Sequence, residues 1–137
     1  MITRVLKKTY LFQVFFKISL VSVIIFTSTI HAQNQKITTL PDGSIVAGNL
    51  GIMQFVIVPL GKSKNLEFYK NTIKQLCEDK KTCFLNFFTN STNQKISFPL
   101  NDKILSEPTL MFKKSAKHQN TSFEWSCRLN LAVKNCF

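Results

Sequence analysis

Acidic residues are scarce in this chain: 7 stand against 18 basic ones over 137 residues, a formal net charge of +11. That balance excludes an acidic or polyanion-like protein and leaves a surface that attracts anions. Motifs of the common hydrolases and nucleotide enzymes are missing as well. There is no His-Glu-x-x-His pair and no nucleophile elbow, and Gly43, Gly48 and Gly51 are not followed by Lys-Ser or Lys-Thr at Walker spacing. His118 has only lysines and amides in its local sequence, so a serine-type triad finds no acid to orient its base. Without a Cys-x-x-Cys pair, thioredoxin-type redox chemistry is excluded. The cysteine intervals are also wider than the paired ligands of a structural zinc site, so neither a metal nor a cofactor is expected. Glu78 beside Asp79, and Asp102 near Glu107, are the paired carboxylates on offer, and both read as solvated turns rather than as acid and base. The chain is therefore expected not to be an enzyme.

What is present is apolar bulk. Hydrophobic residues make up 45% of the chain, too many for a disordered protein, and 13 phenylalanines against 1 tryptophan and 2 tyrosines suit core packing better than a polar aromatic platform. Residues 1–32 carry Arg4, Lys7, Lys8 and Lys17 with no acid. An apolar run from Ile18 to Ile30 follows, then His31-Ala32 before a polar switch at Gln33. This is the layout of a secretory signal peptide with cleavage after Ala32. The run falls short of the about 20 apolar residues that span a bilayer, and retention as an uncleaved anchor is the alternative once Leu11 to Phe16 is added. Either outcome places the remainder outside the cytoplasm, periplasmic or secreted. Taking the 4 leader cations from the 18 basic residues leaves 14 against 7 acids, or +7 for residues 33–137.

Those residues read as a single α+β domain. Pro41-Asp42-Gly43 is a turn between Ile37–Leu40 and Ser44–Ala47, which predicts a hairpin. Residues 52–58 form an apolar, β-branched run closed by Pro59, expected as a central strand. Leu66, Tyr69, Ile73, Leu76 and Cys77 recur at helical spacing, predicting an amphipathic helix over about 63–78 with Ser63 as N-cap. Strands are expected at 83–89, at 109–113 and at 122–131, with a short edge strand at Ile96–Phe98 and one helical turn between Asn101 and Glu107. In the last strand Phe123, Trp125, Cys127, Leu129 and Leu131 would share the core face, while Glu124, Ser126, Arg128 and Asn130 face water. The sheet is expected to be mostly antiparallel, with the helix packed on it.

Four cysteines allow three pairings. Cys77 with Cys83 is short and local and is preferred, which leaves Cys127 with Cys136. A continuous strand would hold that second pair about 30 Å apart, so the strand must end and the chain turn back. Cys77 with Cys136 and Cys83 with Cys127 is the competing arrangement. The usage points to a small disulfide-stapled secreted domain in an oxidising compartment. Lysines are dispersed from Lys62 to Lys134 without a block of five, and Arg128 is the sole arginine after residue 32. Arg128 is the candidate contact for a carboxylate or phosphate. Asn90-Ser91-Thr92 and Asn120-Thr121-Ser122 match the glycosylation acceptor pattern and mark surface loops.

Thr109–Phe112, Phe123–Cys127 and the late Cys136 resemble the C-terminal disulfide region of type IV pilins, where a Trp-x-Cys strand is stapled to a late cysteine. Residues 1–32 lack the pilin leader's glycine before Phe-Thr-Leu-Ile-Glu, and the long spine helix has no counterpart, so the family is not assigned. Together these readings predict an exported, non-enzymatic binding or envelope accessory protein. Its expected partner is an anionic envelope component or another envelope protein, with no specific nucleic-acid motif. A pilus or secretion-machine accessory subunit is the second reading, and a small secreted hydrolase or hydrolase inhibitor the third.

Overall fold

A computed structural model describes residues 35–137, so the signal-peptide reading of residues 1–32 lies outside the described residues. The strands form one six-stranded sheet in sequence order: β1 (Thr38–Thr39), β2 (Ile45–Leu50), β3 (Met53–Ile57), β4 (Cys83–Phe88), β5 (Pro108–Ser115) and β6 (Asn120–Trp125). All neighbours are antiparallel except β3 and β4. A parallel pair cannot be joined by a tight turn, and helix α1 (Leu66–Cys77) supplies the crossover. A second helix, α2 (Asp102–Leu105), is a single turn leading into β5. The sheet is thus mostly antiparallel, with few helices and two disulfides.

Each face of the sheet has its own cover. Tyr69, Ile73 and Cys77 of α1 pack on Val56, Leu85, Phe87, Leu110 and Phe112. Tyr69 meets both Phe87 and Trp125 edge to face, with centroids 5.1 and 5.2 Å apart. On the other face Ile57 and Phe88 lie under Leu100 and Ile104. There the ring of Phe98 sits where a Cβ on Gly48 would stand, so only glycine lets the two approach.

Three expectations are corrected. The helix starts later than Ser63, because Asn65 is the residue whose side chain accepts from Phe68 N, at 3.0 Å. Ile96–Phe98 forms no strand. Pro99 lacks the N–H a ladder needs, and Ile96 and Phe98 dock singly on the sheet instead. The last strand ends at Trp125 rather than near Leu131. Ser126 leads into a 3-10 turn, Cys127–Leu129, and Asn130 adopts a left-handed φ of 50° that reverses the chain. The returning segment lays Cys136 beside Trp125, and Phe137 N donates to Trp125 O at 3.0 Å. Apolar alternation beyond Trp125 therefore reflects a turn: Leu129 is buried and Cys127 exposed.

The bonds join Cys77 to Cys83 and Cys127 to Cys136, with Cα separations of 5.7 and 5.0 Å. The first ties the end of α1 to the start of β4; the second closes the C-terminal turn. Two disulfides in so small a domain are consistent with an exported protein in an oxidising, extracytoplasmic setting.

Candidate functional site

Because β3 and β4 are parallel, both finish at the same end of the sheet, and the chain leaves each of them into a loop there. Pro59 and Leu60 follow β3 into a 3-10 turn, while Asn90–Asn93 follows β4 as a turn closed by Asn93 N donating to Asn90 O at 3.2 Å. Asn90 stiffens the second loop: its Oδ1 accepts from Gln94 N at 2.7 Å and its Nδ2 donates to Gln94 O at 2.8 Å. Between the loops lies an open groove of about 420 Å³. Ile57, Leu60 and Ile96 make its apolar wall; Asn90, Ser91 and Asn93 make its polar rim.

Behind the rim stands Glu107, 8% exposed. Its Oε2 accepts from Thr89 Oγ1 at 2.7 Å and from Ser91 N at 2.9 Å, and its Oε1 accepts from Ser91 Oγ at 2.5 Å. Burial is the largest single influence and would raise its pKa. The hydroxyl and backbone N–H of Ser91, the Thr89 hydroxyl and the Arg128 charge together outweigh it, holding the carboxyl below 4.5. Arg128 completes the network. Its Nη2 donates to Thr89 Oγ1 at 2.9 Å and to Glu107 O at 3.3 Å, and its Nε donates to Pro108 O at 3.2 Å. Nearby, Tyr69 donates to Ser63 O at 3.1 Å. Burial pushes its phenol up to about 12 against the opposing pull of Thr109 and Arg128.

A carboxylate already accepting three hydrogen bonds, and ionised below its ordinary range, is a weak base for Ser91. His118 lies in the turn past the far end of β5, about 25 Å away by strand rise, and takes no part. Among the described residues no three His, Cys, Asp or Glu side chains gather as a metal site.

Two readings of site residues change. Glu107, taken from sequence as part of a solvated turn, is buried and saturated with donors, whereas Asp102 is exposed as expected. Arg128, expected on the wet face of a strand with Glu124, Ser126 and Asn130, lies beyond the strand end. Ser126 is buried, Asn130 is in the reversing turn, and the strip does not form. Sequence reading missed Thr89, Ser91 and Glu107 as a unit, since Glu107 lies 18 and 16 positions from the other two. The sole hint was an acid placed between a short helical turn and Pro108.

Compared with known protein families, curated proteins and solved structures, the chain matches none of them. The pilin likeness of residues 109–137 accordingly stands on those residues alone.

Proposed function

We propose that this is an exported, non-enzymatic binding protein of the cell envelope, and that the groove between the loops after β3 and β4 receives an uncharged segment of another envelope protein. The observation that carries the reading is the groove itself, whose wall is aliphatic and whose rim is amide and hydroxyl with no charged side chain lining it. Such a lining favours an extended peptide, whose backbone matches the amides and whose apolar side chains cover Ile57, Leu60 and Ile96. The Glu107 network supports the same reading because it spends its polar groups on fixing Ser91 and the Asn90–Asn93 turn. A secreted hydrolase is the competing reading, favoured by the Ser91–Glu107 contact.

One experiment separates the two. Photo-crosslinking from Asn93 in intact cells should trap a specific envelope protein, and Leu60→Arg should abolish the adduct while leaving the melting temperature within a few degrees. The hydrolase reading requires an activity lost in Ser91→Ala with the fold retained. Finding that activity, or adducts unaffected by Leu60→Arg, overturns the proposal.

A further inference from the structure

The end of the sheet opposite the groove gathers what is dispersed along the chain. The antiparallel register places Lys114 opposite Cys83 and Lys113 opposite Phe84, at the start of β4. Ala116 N donates to Thr82 Oγ1 at 3.3 Å, which ties the β5–β6 turn, carrying Lys117, to the α1–β4 corner, carrying Lys80 and Lys81. The parallel register then sets Met53 beside Phe84, so the β2–β3 hairpin tip points to this same end. At the tip Leu50 is 70% exposed and Ile52 62%, the highest values among the large hydrophobics of the described residues. Gly51 between them has a φ of +58° and open space around its Cβ position. The acids nearby are Glu78, held 3.9 Å from Lys74, with Asp79 and, farther along β6, Glu124.

We infer that this end docks on an anionic lipid surface, the Leu50–Gly51–Ile52 tip entering the headgroup boundary while Lys80, Lys81, Lys113, Lys114 and Lys117 meet the lipid phosphates. Charge complementarity is joined at this end to bare apolar area. Lysines alone fit any polyanion, but two aliphatic side chains held on a protruding turn within about two strand spacings of the lysines gain free energy where an apolar phase lies beside the anions, as acyl chains do beneath lipid phosphates. Nucleic acid or polysaccharide offers the lysines a partner and the tip none. No helix among the described residues is long and apolar enough to cross a membrane.

The test is sedimentation of the exported protein, its N-terminus defined by intact mass, with phosphatidylcholine vesicles containing either no anionic lipid or about a third phosphatidylglycerol. Binding is expected to the anionic vesicles only and to weaken in high salt. Lys80→Ala with Lys81→Ala and Lys117→Ala should lower the partition coefficient about a hundredfold, and Leu50→Asn with Ile52→Asn should lower it at least about tenfold. Melting temperature, read alongside, should not fall by more than a degree or two, because the five positions are surface ones. Equal binding to neutral vesicles, binding insensitive to both sets of substitutions, or binding to nucleic acid or anionic polysaccharide without any to vesicles would each overturn the inference. These variants leave the groove untouched, so their outcome is independent of the Asn93 crosslink.

Discussion

The two ends of the sheet solve opposite problems. Where β3 and β4 finish, polar groups are turned inward: a buried carboxylate, a guanidinium and two hydroxyls satisfy one another and shape the loops around an uncharged groove. Where they begin, lysines and two aliphatic side chains are left facing water, with one weak ion pair, Lys74 with Glu78, as the nearest compensation. One register assigns both roles. A parallel β3–β4 pair sends the hairpin tip to the lysine end and the loop at Asn90 to the other; an antiparallel pair would exchange one of them.

The disulfides offer the largest way to sharpen that contrast, since each belongs to one end. Ring size alone predicts similar stabilisation, about 2 to 3 kcal/mol for either, because loop entropy grows slowly with length. Burial separates them: Cys77 and Cys83 are buried, whereas Cys127 and Cys136 are exposed. Cys77→Ser with Cys83→Ser should therefore cost about 3 to 4 kcal/mol, and Cys127→Ser with Cys136→Ser about 2, because serine hydroxyls are stranded in the core only in the first case. Chemical denaturation checks this. The reverse order would mean that the C-terminal turn, and not the α1–β4 corner, is the more strongly tied.

Next in size is Glu107→Gln, expected to cost about 1.5 to 3 kcal/mol, since an amide can accept at one position and presents a donor to donors at the other. The sign with pH follows from the lowered pKa. A carboxyl ionising more readily when folded contributes stability that is complete above its unfolded value, near 4.5, and that is lost as the pH falls through the lower folded value. Acid titration of stability should therefore be steeper in the parent than in Glu107→Gln. Parallel curves would remove the network from the account.

Arg128→Ala comes third, at about 1 to 2 kcal/mol. Its guanidinium serves Thr89 Oγ1 and the carbonyls of Glu107 and Pro108, while the residue itself stays exposed. Arg128→Lys should recover less than half of the loss, because an ammonium cannot reproduce the fork that spans these acceptors. The sequence pattern alone would have put the cost under about 0.5 kcal/mol, as for a solvated strand position.

That difference marks what local pattern can carry. The Pro41–Gly43 hairpin, the buried face through Tyr69 and Ile73, the strand from Cys83 and its apolar partner at Leu110–Phe112 were legible because each rests on neighbours within one element. Reading failed where a tertiary contact reassigns a local signal. Ser126 and Asn130 sit in an apparent strand period, yet they cap and reverse a turn that the Cys127–Cys136 bond closes. Neither end of the sheet was visible as an end. Glu107 needs Thr89 and Ser91 beside it, and Lys80 and Lys117 need the β4–β5 register, and spacing along the chain encodes neither.

The smallest effect is expected at the lysine end. Lys80→Ala, Lys81→Ala and Lys117→Ala each remove an exposed side chain, so stability should change by less than about 0.5 kcal/mol apiece. The sign is the informative part. Like charges brought close repel over a Debye length that reaches about 30 Å at 0.01 M salt, so the triple variant should be slightly more stable than the parent at low ionic strength. Added salt should stabilise the parent by screening that repulsion and leave the triple variant nearly unaffected, which thermal melts over a salt series would resolve. A variant less stable than the parent at every salt concentration would show that these lysines are held by contacts within the fold. The contrast between a satisfied end and an unsatisfied one would then fail where it matters most, because a surface kept for an outside partner should carry its repulsion unrelieved until that partner arrives.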